Sequence, residues 1–246
     1  MNDCFIEYEM TGVRAFSTTR HGGVSTGAYS SFCPTEHGGN NPEDAGKDVE
    51  KLRGLLGIDN VVVPHQNHGD RIVRIDDACQ HPSLEGVDAL VTDSRGICLG
   101  VLTADCVPIL LSDPVRHVVA AVHSGWRGTV KRILSKAVVF MREEYGSCPS
   151  DIEAVIGPCI GLDAFEVGQE VYDAFDEAAF AMEDIAVMYD KWHIDLRKAC
   201  LMQMESLGVE KILTTEICTF TSHNDWFSAR RLGRRCGRIL NGIYML

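Results

Sequence analysis

The chain has 246 residues, 45% of them hydrophobic, and a formal net charge of −12 at pH 7. This acidic balance argues against a nucleic-acid-binding surface, which would show clustered Lys and Arg, so any anionic substrate must be met by a local basic pocket. No apolar run reaches the roughly 18 residues that a membrane-spanning helix needs, and we expect no membrane partner.

The N-terminus and the cysteines bear on the compartment. The first residues lack the basic start and apolar segment of a signal peptide, which favours a cytoplasmic protein. Ten cysteines are scattered along the chain without a Cys-x-x-Cys pair, so a disulfide framework or a zinc ribbon is not indicated. We expect most of these cysteines to be reduced, buried and unreactive.

The first 80 residues predict short strands, one helix and glycine-rich loops. The predicted strands are residues 4–8, 13–18, 61–63 and 71–75, the last two as a hairpin. Residues 43–56 have helical spacing and end at Gly57. The turn of the hairpin contains His65 and His68, three residues apart.

Three apolar runs in the middle of the chain predict buried strands at residues 97–102, 107–111 and 118–122. The sequence Thr103-Ala-Asp-Cys follows the first run. The sequence His123-Ser-Gly-Trp-Arg-Gly ends the third. Reactive side chains are therefore expected at strand ends.

The rest of the chain continues this mixed pattern. Helices are predicted at residues 129–144, 168–180 and 195–207, and strands at 152–156, 211–214 and 217–221. No internal repeat or Gly/Ser linker divides the chain, so we expect one domain over residues 1–246.

Cysteine and histidine are the ligands that zinc prefers, and three protein ligands leave a fourth position for water or substrate. Cys106, His123 and one histidine of the 65–68 turn would complete such a set. A nucleophile and base pair explains Cys106 and His123 equally well, as in a cysteine hydrolase. A non-enzymatic zinc staple would need a fourth protein ligand, and His65 is the candidate for it.

Eight stretches in a fixed order carry a family resemblance. They are Phe16-Ser-Thr-Thr-Arg-His-Gly-Gly-Val-Ser, His68-Gly, Val87-Asp-Ala-Leu-Val-Thr, Thr103-Ala-Asp-Cys-Val-Pro, His123-Ser-Gly-Trp-Arg-Gly, Ile156-Gly-Pro-Cys-Ile, Phe165-Glu-Val-Gly and Phe227-Ser-Ala-Arg-Arg. With them the chain resembles the laccase-domain family, whose members are also called YfiH-like, multicopper polyphenol oxidase or peptidoglycan editing factor proteins.

The resemblance implies an α+β domain with mixed β-sheets covered by helices. It also implies a zinc ion held by His68, Cys106 and His123. The implied activity is that of a purine nucleoside phosphorylase and adenosine deaminase: phosphorolysis of adenosine, inosine and methylthioadenosine, and deamination of adenosine. The small-molecule partners would then be a purine nucleoside and phosphate.

Two other activities remain open from the same resemblance. One is hydrolysis of an amide that removes misincorporated serine from a cell-wall precursor. The other, copper-dependent oxidation of polyphenols, fits the residues least, because a blue-copper site uses two His, one Cys and an axial Met, and the further histidine clusters of a multicopper enzyme are not visible.

The residue types and the resemblance together predict the catalytic residues. Cys106, His123 and Asp105 are the expected catalytic residues, with Asp105 or His65 relaying a proton or orienting a ligand.

An anion is expected to meet basic side chains. The candidates are Arg20, Arg127 and Arg230. Relatives usually carry Asn-Arg where this chain has Asp48 and Val49. If that Arg holds an anion in the relatives, then either one of these arginines or Arg53 replaces it here, or this chain binds the anion poorly.

Overall fold

The computed structural model of the chain describes residues 3–36 and 38–246. In this part of the chain, fourteen strands form three sheets, and seven α-helices surround them. The strands are β1 (Phe5–Tyr8), β2 (Val13–Thr18), β3 (Asn60–Val62), β4 (Ile72–Arg74), β5 (Ala89–Thr92), β6 (Ile97–Thr103), β7 (Val107–Asp113), β8 (Val118–Ser124), β9 (Glu153–Ile156), β10 (Glu166–Val167), β11 (Ala186–Met188), β12 (Trp192–Ile194), β13 (Lys211–Thr214) and β14 (Ile239–Met245). The helices are α1 (Pro42–Leu56), α2 (Trp126–Val130), α3 (Ile133–Tyr145), α4 (Gln169–Glu177), α5 (Met182–Ile185), α6 (Leu196–Ser206) and α7 (Ala229–Leu232).

Both large sheets mix parallel and antiparallel strands. The five-stranded sheet has the order β1-β2-β14-β6-β3, with only β3 and β6 parallel. The six-stranded sheet has the order β13-β9-β7-β8-β5-β4 and is parallel at its two outer pairs. A three-stranded sheet, β10-β12-β11, lies apart from both. The predicted α+β fold with mixed sheets and covering helices is confirmed.

The two large sheets pack face to face, with helices on their outer sides. Alternate residues of β7 show this arrangement, because Leu110 packs into the core between the sheets while Ile109 and Leu111 pack against the helical layer. On the other side, Leu52 and Leu56 of α1 cover the outer face of the five-stranded sheet. Strands buried on both faces have continuous apolar sequences, which is why β6, β7 and β8 were predictable.

The predicted hairpin of residues 61–63 and 71–75 is wrong. Strand β3 pairs with β6 in one sheet, whereas β4 pairs with β5 in the other. The intervening segment crosses between the sheets and is held by residues 84–88 instead of by a turn: the N–H of His65 donates to the carbonyl of Leu84, and the N–H of Gly86 donates to the carbonyl of His65.

Two further expectations need correction. The helix predicted at 129–144 is divided, because Arg132 adopts a left-handed backbone conformation with φ 61° between α2 and α3. Residues 217–221 do not form a strand; Cys218 makes one isolated bridge to Cys159, and the chain then turns, with the N–H of Ser222 donating to the carbonyl of Cys218.

The helices and the cysteines bear on the expectations of no membrane partner and of reduced thiols. No helix within residues 3–36 and 38–246 has the length and apolar character to cross a membrane. No disulfide joins any of the ten cysteines, all of which lie in the described ranges, and six of them are buried.

Candidate metal centre

Three side chains from separate segments meet at one end of the two large sheets. His68 lies in the segment that crosses from β3 to β4, Cys106 lies in the crossing from β6 to β7, and His123 lies near the end of β8. Their ligand atoms all lie within 4.8 Å of one another. His123 is buried, Cys106 is half-buried and His68 is exposed, so the group opens to solvent on the His68 side.

A buried carboxylate, that of Asp88, holds two members of this group. Its Oδ1 accepts hydrogen bonds from Nδ1 of His123 at 2.7 Å and from the backbone N–H of His68 at 3.0 Å. Its Oδ2 accepts from the N–H of Gly69 at 2.7 Å and that of Asn67 at 3.3 Å. Because Nδ1 of His123 donates to Asp88, its Nε2 is left as the ligand atom.

Asp105 precedes Cys106 directly and anchors the loop that carries it. It has φ 97°, an uncommon conformation for a residue with a side chain. Its Oδ1 accepts from Thr219 Oγ1 and its Oδ2 from the N–H of Arg230, both at 2.7 Å, while its carbonyl accepts from the N–H of Ile160. Both carboxylate oxygens are thus used to anchor the loop that presents Cys106.

The absence of a side chain at Gly125 lets the group assemble. A Cβ at this position would lie 2.8 Å from Cδ2 of His68 and 3.0 Å from Sγ of Cys106, closer than ordinary contacts. The rings of His68 and His123 meet edge to face, with centroids 4.9 Å apart. Glycine is therefore required where the backbone after β8 passes between the ligand side chains.

Cys106 and His123 shift each other's pKa in opposite directions. Burial opposes ionisation of the Cys106 thiol, but the attraction of His123 and His68 outweighs it and lowers the pKa of Cys106 below its ordinary value. Burial likewise opposes the charged form of His123, yet Cys106 and Asp88 together raise the pKa of His123. Without a metal, the two groups therefore favour a thiolate and an imidazolium.

The group lies in a cavity of about 630 Å³. Its lining residues are Gly38, Gln66, Asn67, His68, Leu102, Thr103, Ala104, Cys106, His123, Arg127, Ala229, Arg234 and Arg238. Cavities of this size accept small-molecule ligands. Within the described residues, the lining contains three arginines and no Asp or Glu.

Of the three arginines predicted to bind substrate, only Arg127 lines this cavity. The guanidinium of Arg20 donates to the carbonyls of Ser30 and His223 at 2.9 and 2.7 Å. That of Arg230 donates to the carbonyl of Glu166 at 2.9 Å. Both guanidiniums therefore already bind backbone carbonyls outside the lining of the cavity.

Arg234 and Arg238, which were not predicted, take part in the lining instead. The signal that could have found them is the run of five arginines between positions 230 and 238 in an acidic chain.

Asp48 and Val49, the positions that depart from the family pattern, lie outside the cavity of the metal group. Val49 lines a second cavity together with Arg53 and His65, and that cavity contains none of the three grouped residues. Asp48 is fully buried and accepts hydrogen bonds from the N–H of Val24 at 2.8 Å and that of Cys33 at 2.9 Å. In this chain it stabilises the loop from Val24 to Cys33.

A family model described as "Multi-copper polyphenol oxidoreductase laccase" matches residues 14–246. The chain belongs to this laccase-domain family. The resemblance carried by the sequence stretches is thereby confirmed, and the His68, Cys106 and His123 stretches all fall within the matched region.

Relatives of this laccase-domain chain include proteins with two enzyme names. A "Purine nucleoside phosphorylase" of Bacteroides thetaiotaomicron is 41% identical over 95% of this chain and 92% of the relative. "Adenosine deaminase RL5" from an unknown prokaryotic organism is 43% identical over 95% of this chain and 94% of the relative. The crystal structure of YlmD from Geobacillus stearothermophilus matches with a TM-score of 0.90 and 28% identity over 99% of both chains.

The donor set of the laccase-domain chain fits a metal ion. One thiolate and two imidazoles suit zinc, whose tetrahedral ligands, at about 2.0–2.3 Å from the ion, stand about 3.5 Å apart. The three ligand atoms already lie within 4.8 Å, so small side-chain movements suffice. The same His, His and Cys set also occurs in copper sites, so the donor set alone does not choose the metal.

Proposed function

We propose that this chain is a zinc-dependent purine nucleoside enzyme whose main reaction is the phosphorolysis of adenosine, inosine and methylthioadenosine. The observation that carries the proposal is the His68, Cys106 and His123 group in a cavity lined by arginines and, among the described residues, by no carboxylate. The names of the relatives, purine nucleoside phosphorylase and adenosine deaminase, support this substrate class.

His68, Cys106 and His123 would hold the zinc ion, with Asp88 orienting His123. When bound, the ion would supply Lewis-acid chemistry, polarising a substrate atom or lowering the pKa of water to about 7. Three protein ligands would leave a fourth position for water or substrate, as in catalytic zinc sites. His65 does not belong to the group, which argues against a closed structural site.

Phosphorolysis requires the chain to bind both a nucleoside and phosphate. Phosphate attacks the ribose carbon C1′, the bond from C1′ to the base breaks, and the base leaves with a proton. Asn67 lines the cavity, and its side-chain amide carries the donor and acceptor that a purine edge can pair with. Arg127 supplies a positive charge for phosphate. Asp105 is a positioning residue in this proposal, because both its oxygens hold the loop of Cys106.

Deamination of adenosine is the second reaction we propose for the same cavity. Water would replace the amino group at C6 of the purine, giving inosine and ammonia. The observation that favours it is the 43% identity to a relative named adenosine deaminase. This reaction needs no phosphate, so the arginines of the cavity would not contribute to it in the same way.

The products separate the two reactions. Zinc-loaded protein is incubated with adenosine in the presence and absence of phosphate, and the products are identified by mass spectrometry. Adenine and ribose 1-phosphate, formed only with phosphate, support phosphorolysis, and inosine formed in both conditions supports deamination. No turnover of adenosine, inosine or methylthioadenosine by zinc-loaded protein would refute the proposal.

A cysteine hydrolase remains the alternative enzyme class, because Cys106 has a lowered pKa and lies beside His123 as a base. It would cleave an amide, such as that of a misincorporated serine in a cell-wall precursor. Metal-free protein that hydrolyses such an amide and loses activity on alkylation of Cys106 would favour this class. Elemental analysis that finds copper instead of zinc would favour the oxidase chemistry in the family's description.

A further inference from the structure

Arginines line the metal cavity although the chain as a whole is strongly acidic. The net charge is −12, yet within the described residues the lining has three arginines and no Asp or Glu. Charges more than about 10 Å away are largely screened at 0.1 M salt, so the groups that line the cavity decide what binds there. The cavity therefore presents a local positive surface to a ligand.

The three arginines are not equivalent. Arg238 donates from Nη1 to the carbonyls of Cys236 and Gly237, at 2.6 and 3.0 Å, and from Nη2 to the carbonyl of Arg234 at 3.0 Å. These bonds use its guanidinium to fix the backbone of residues 234–238. Arg238 is thus a support for the loop that presents Arg234.

The guanidinium N–H groups of Arg127 and Arg234 are available to a ligand. Both side chains are exposed, and neither forms an ion pair or donates a hydrogen bond from its guanidinium to another residue of the described ranges. The guanidinium of Arg127 lies over the ring of Trp126, 4.1 Å from its centroid, which limits its movement. The two side chains approach the cavity from α2 and from the loop after α7.

We propose that Arg127 and Arg234 form a subsite for a phosphoryl anion beside the metal group. The proposal rests on the proposed function and deepens it by naming the groups that bind phosphate. A guanidinium presents a planar pair of N–H donors that matches two phosphate oxygens. The anion is either inorganic phosphate, as co-substrate of phosphorolysis, or the 5′-phosphate of a nucleoside monophosphate.

The test compares Arg127→Gln and Arg234→Gln with Arg235→Gln. Arg235 is adjacent and exposed but does not line the cavity, so its variant loses the same charge at a matched position. The KM for inorganic phosphate is measured at saturating adenosine, and the Kd of inorganic phosphate is measured by calorimetry on zinc-loaded protein. Loss of one charge-assisted hydrogen-bonding group is expected to raise both values about tenfold to a hundredfold.

Adenosine monophosphate distinguishes the two sources of the anion. A rise in the phosphate KM with adenosine identifies inorganic phosphate as the occupant. A rise in KM confined to adenosine monophosphate identifies the substrate's own phosphate. The subsite would be overturned if Arg127→Gln and Arg234→Gln had the same KM and Kd as Arg235→Gln for every ligand.

The subsite and the proposed function fail in different ways. The proposed function is refuted and the subsite is retained under two conditions. The wild-type protein turns over no nucleoside but binds inorganic phosphate, and this binding is weaker in Arg127→Gln and Arg234→Gln but not in Arg235→Gln. Wild-type protein that performs phosphorolysis with an unchanged phosphate KM in both variants retains the function and refutes the subsite.

Discussion

The carboxylate of Asp88 lies 2.7 Å from Nδ1 of His123 and orients this ring from within the protein. The same carboxylate accepts the backbone N–H of His68, so one buried group positions two of the three residues that could hold a metal. A buried charge without partners would be strongly unfavourable, and the four donors around Asp88 offset its desolvation.

Asp88→Asn should weaken metal binding by about tenfold to a hundredfold, because an amide replaces one accepting oxygen and no longer fixes His123. The matched control is Asp48→Asn, since Asp48 is equally buried and accepts hydrogen bonds from a loop that does not contain the metal group. Zinc affinity is measured by competition with a chromogenic chelator. Equal affinities in the two variants would show that Asp88 only stabilises the fold.

His68, and not His65, should bind the metal. Only His68 belongs to the group with Cys106 and His123, whereas His65 lines a different cavity. His68→Ala is expected to lose most of the bound zinc and His65→Ala to keep it, as measured by elemental analysis of the purified proteins. The reverse result would mean that the ligand from this loop has been assigned wrongly.

Gly125→Ala should disturb the site without a change in any ligand. The new Cβ would overlap His68 and Cys106, and overpacking of this kind costs about 1–3 kcal/mol, or roughly fivefold to a hundredfold in metal affinity. Gly54→Ala in α1 is the control, because a Cβ there has no neighbour within 4 Å. Chelator competition on both variants checks this prediction, and wild-type affinity in Gly125→Ala would contradict it.

Metal-free protein should react with iodoacetamide at Cys106 at unusually low pH. A thiol with the ordinary pKa of 9.0 is about 1% ionised at pH 7, whereas the lowered pKa of Cys106 makes the thiolate the main form at lower pH. Labelling, followed by peptide mass spectrometry, should therefore persist at pH 7 and fall as the pH drops through the lowered pKa. Zinc should protect Cys106, and labelling at this residue only near pH 9 would disprove the shift.

Much of the central fold could be predicted, because β6, β7 and β8 are buried on both faces and leave continuous apolar runs in the sequence. Strand β14 was missed although it lies between β2 and β6. Its apolar pattern is interrupted by Asn241, which is buried and bonded to Ser17 and Thr103. Partners that satisfy such a residue are distant in sequence, so local periodicity does not reveal them.

The sequence predicted the metal-ligating residues of the candidate site but not the residues that position them or that line the cavity. Cys106 lies between two apolar runs of the sequence, His123 follows a third, and the family resemblance selected His68 over His65. The role of Asp88, just before β5, depends on its contacts with residues 67–69 and with His123 of β8, and the role of Arg234 depends on where the loop after α7 packs. Both follow from tertiary structure, as does the engagement of Arg20 with backbone carbonyls.

A zinc titration of metal-free protein, followed by adenosine turnover in the presence of phosphate, tests whether the group of His68, Cys106 and His123 holds a catalytic metal ion. Activity is expected to rise in proportion to added zinc and to stop rising at one ion per chain, with no comparable rise in Cys106→Ala. Full turnover by metal-free wild-type protein, or equal zinc-dependent turnover by Cys106→Ala, would contradict this expectation.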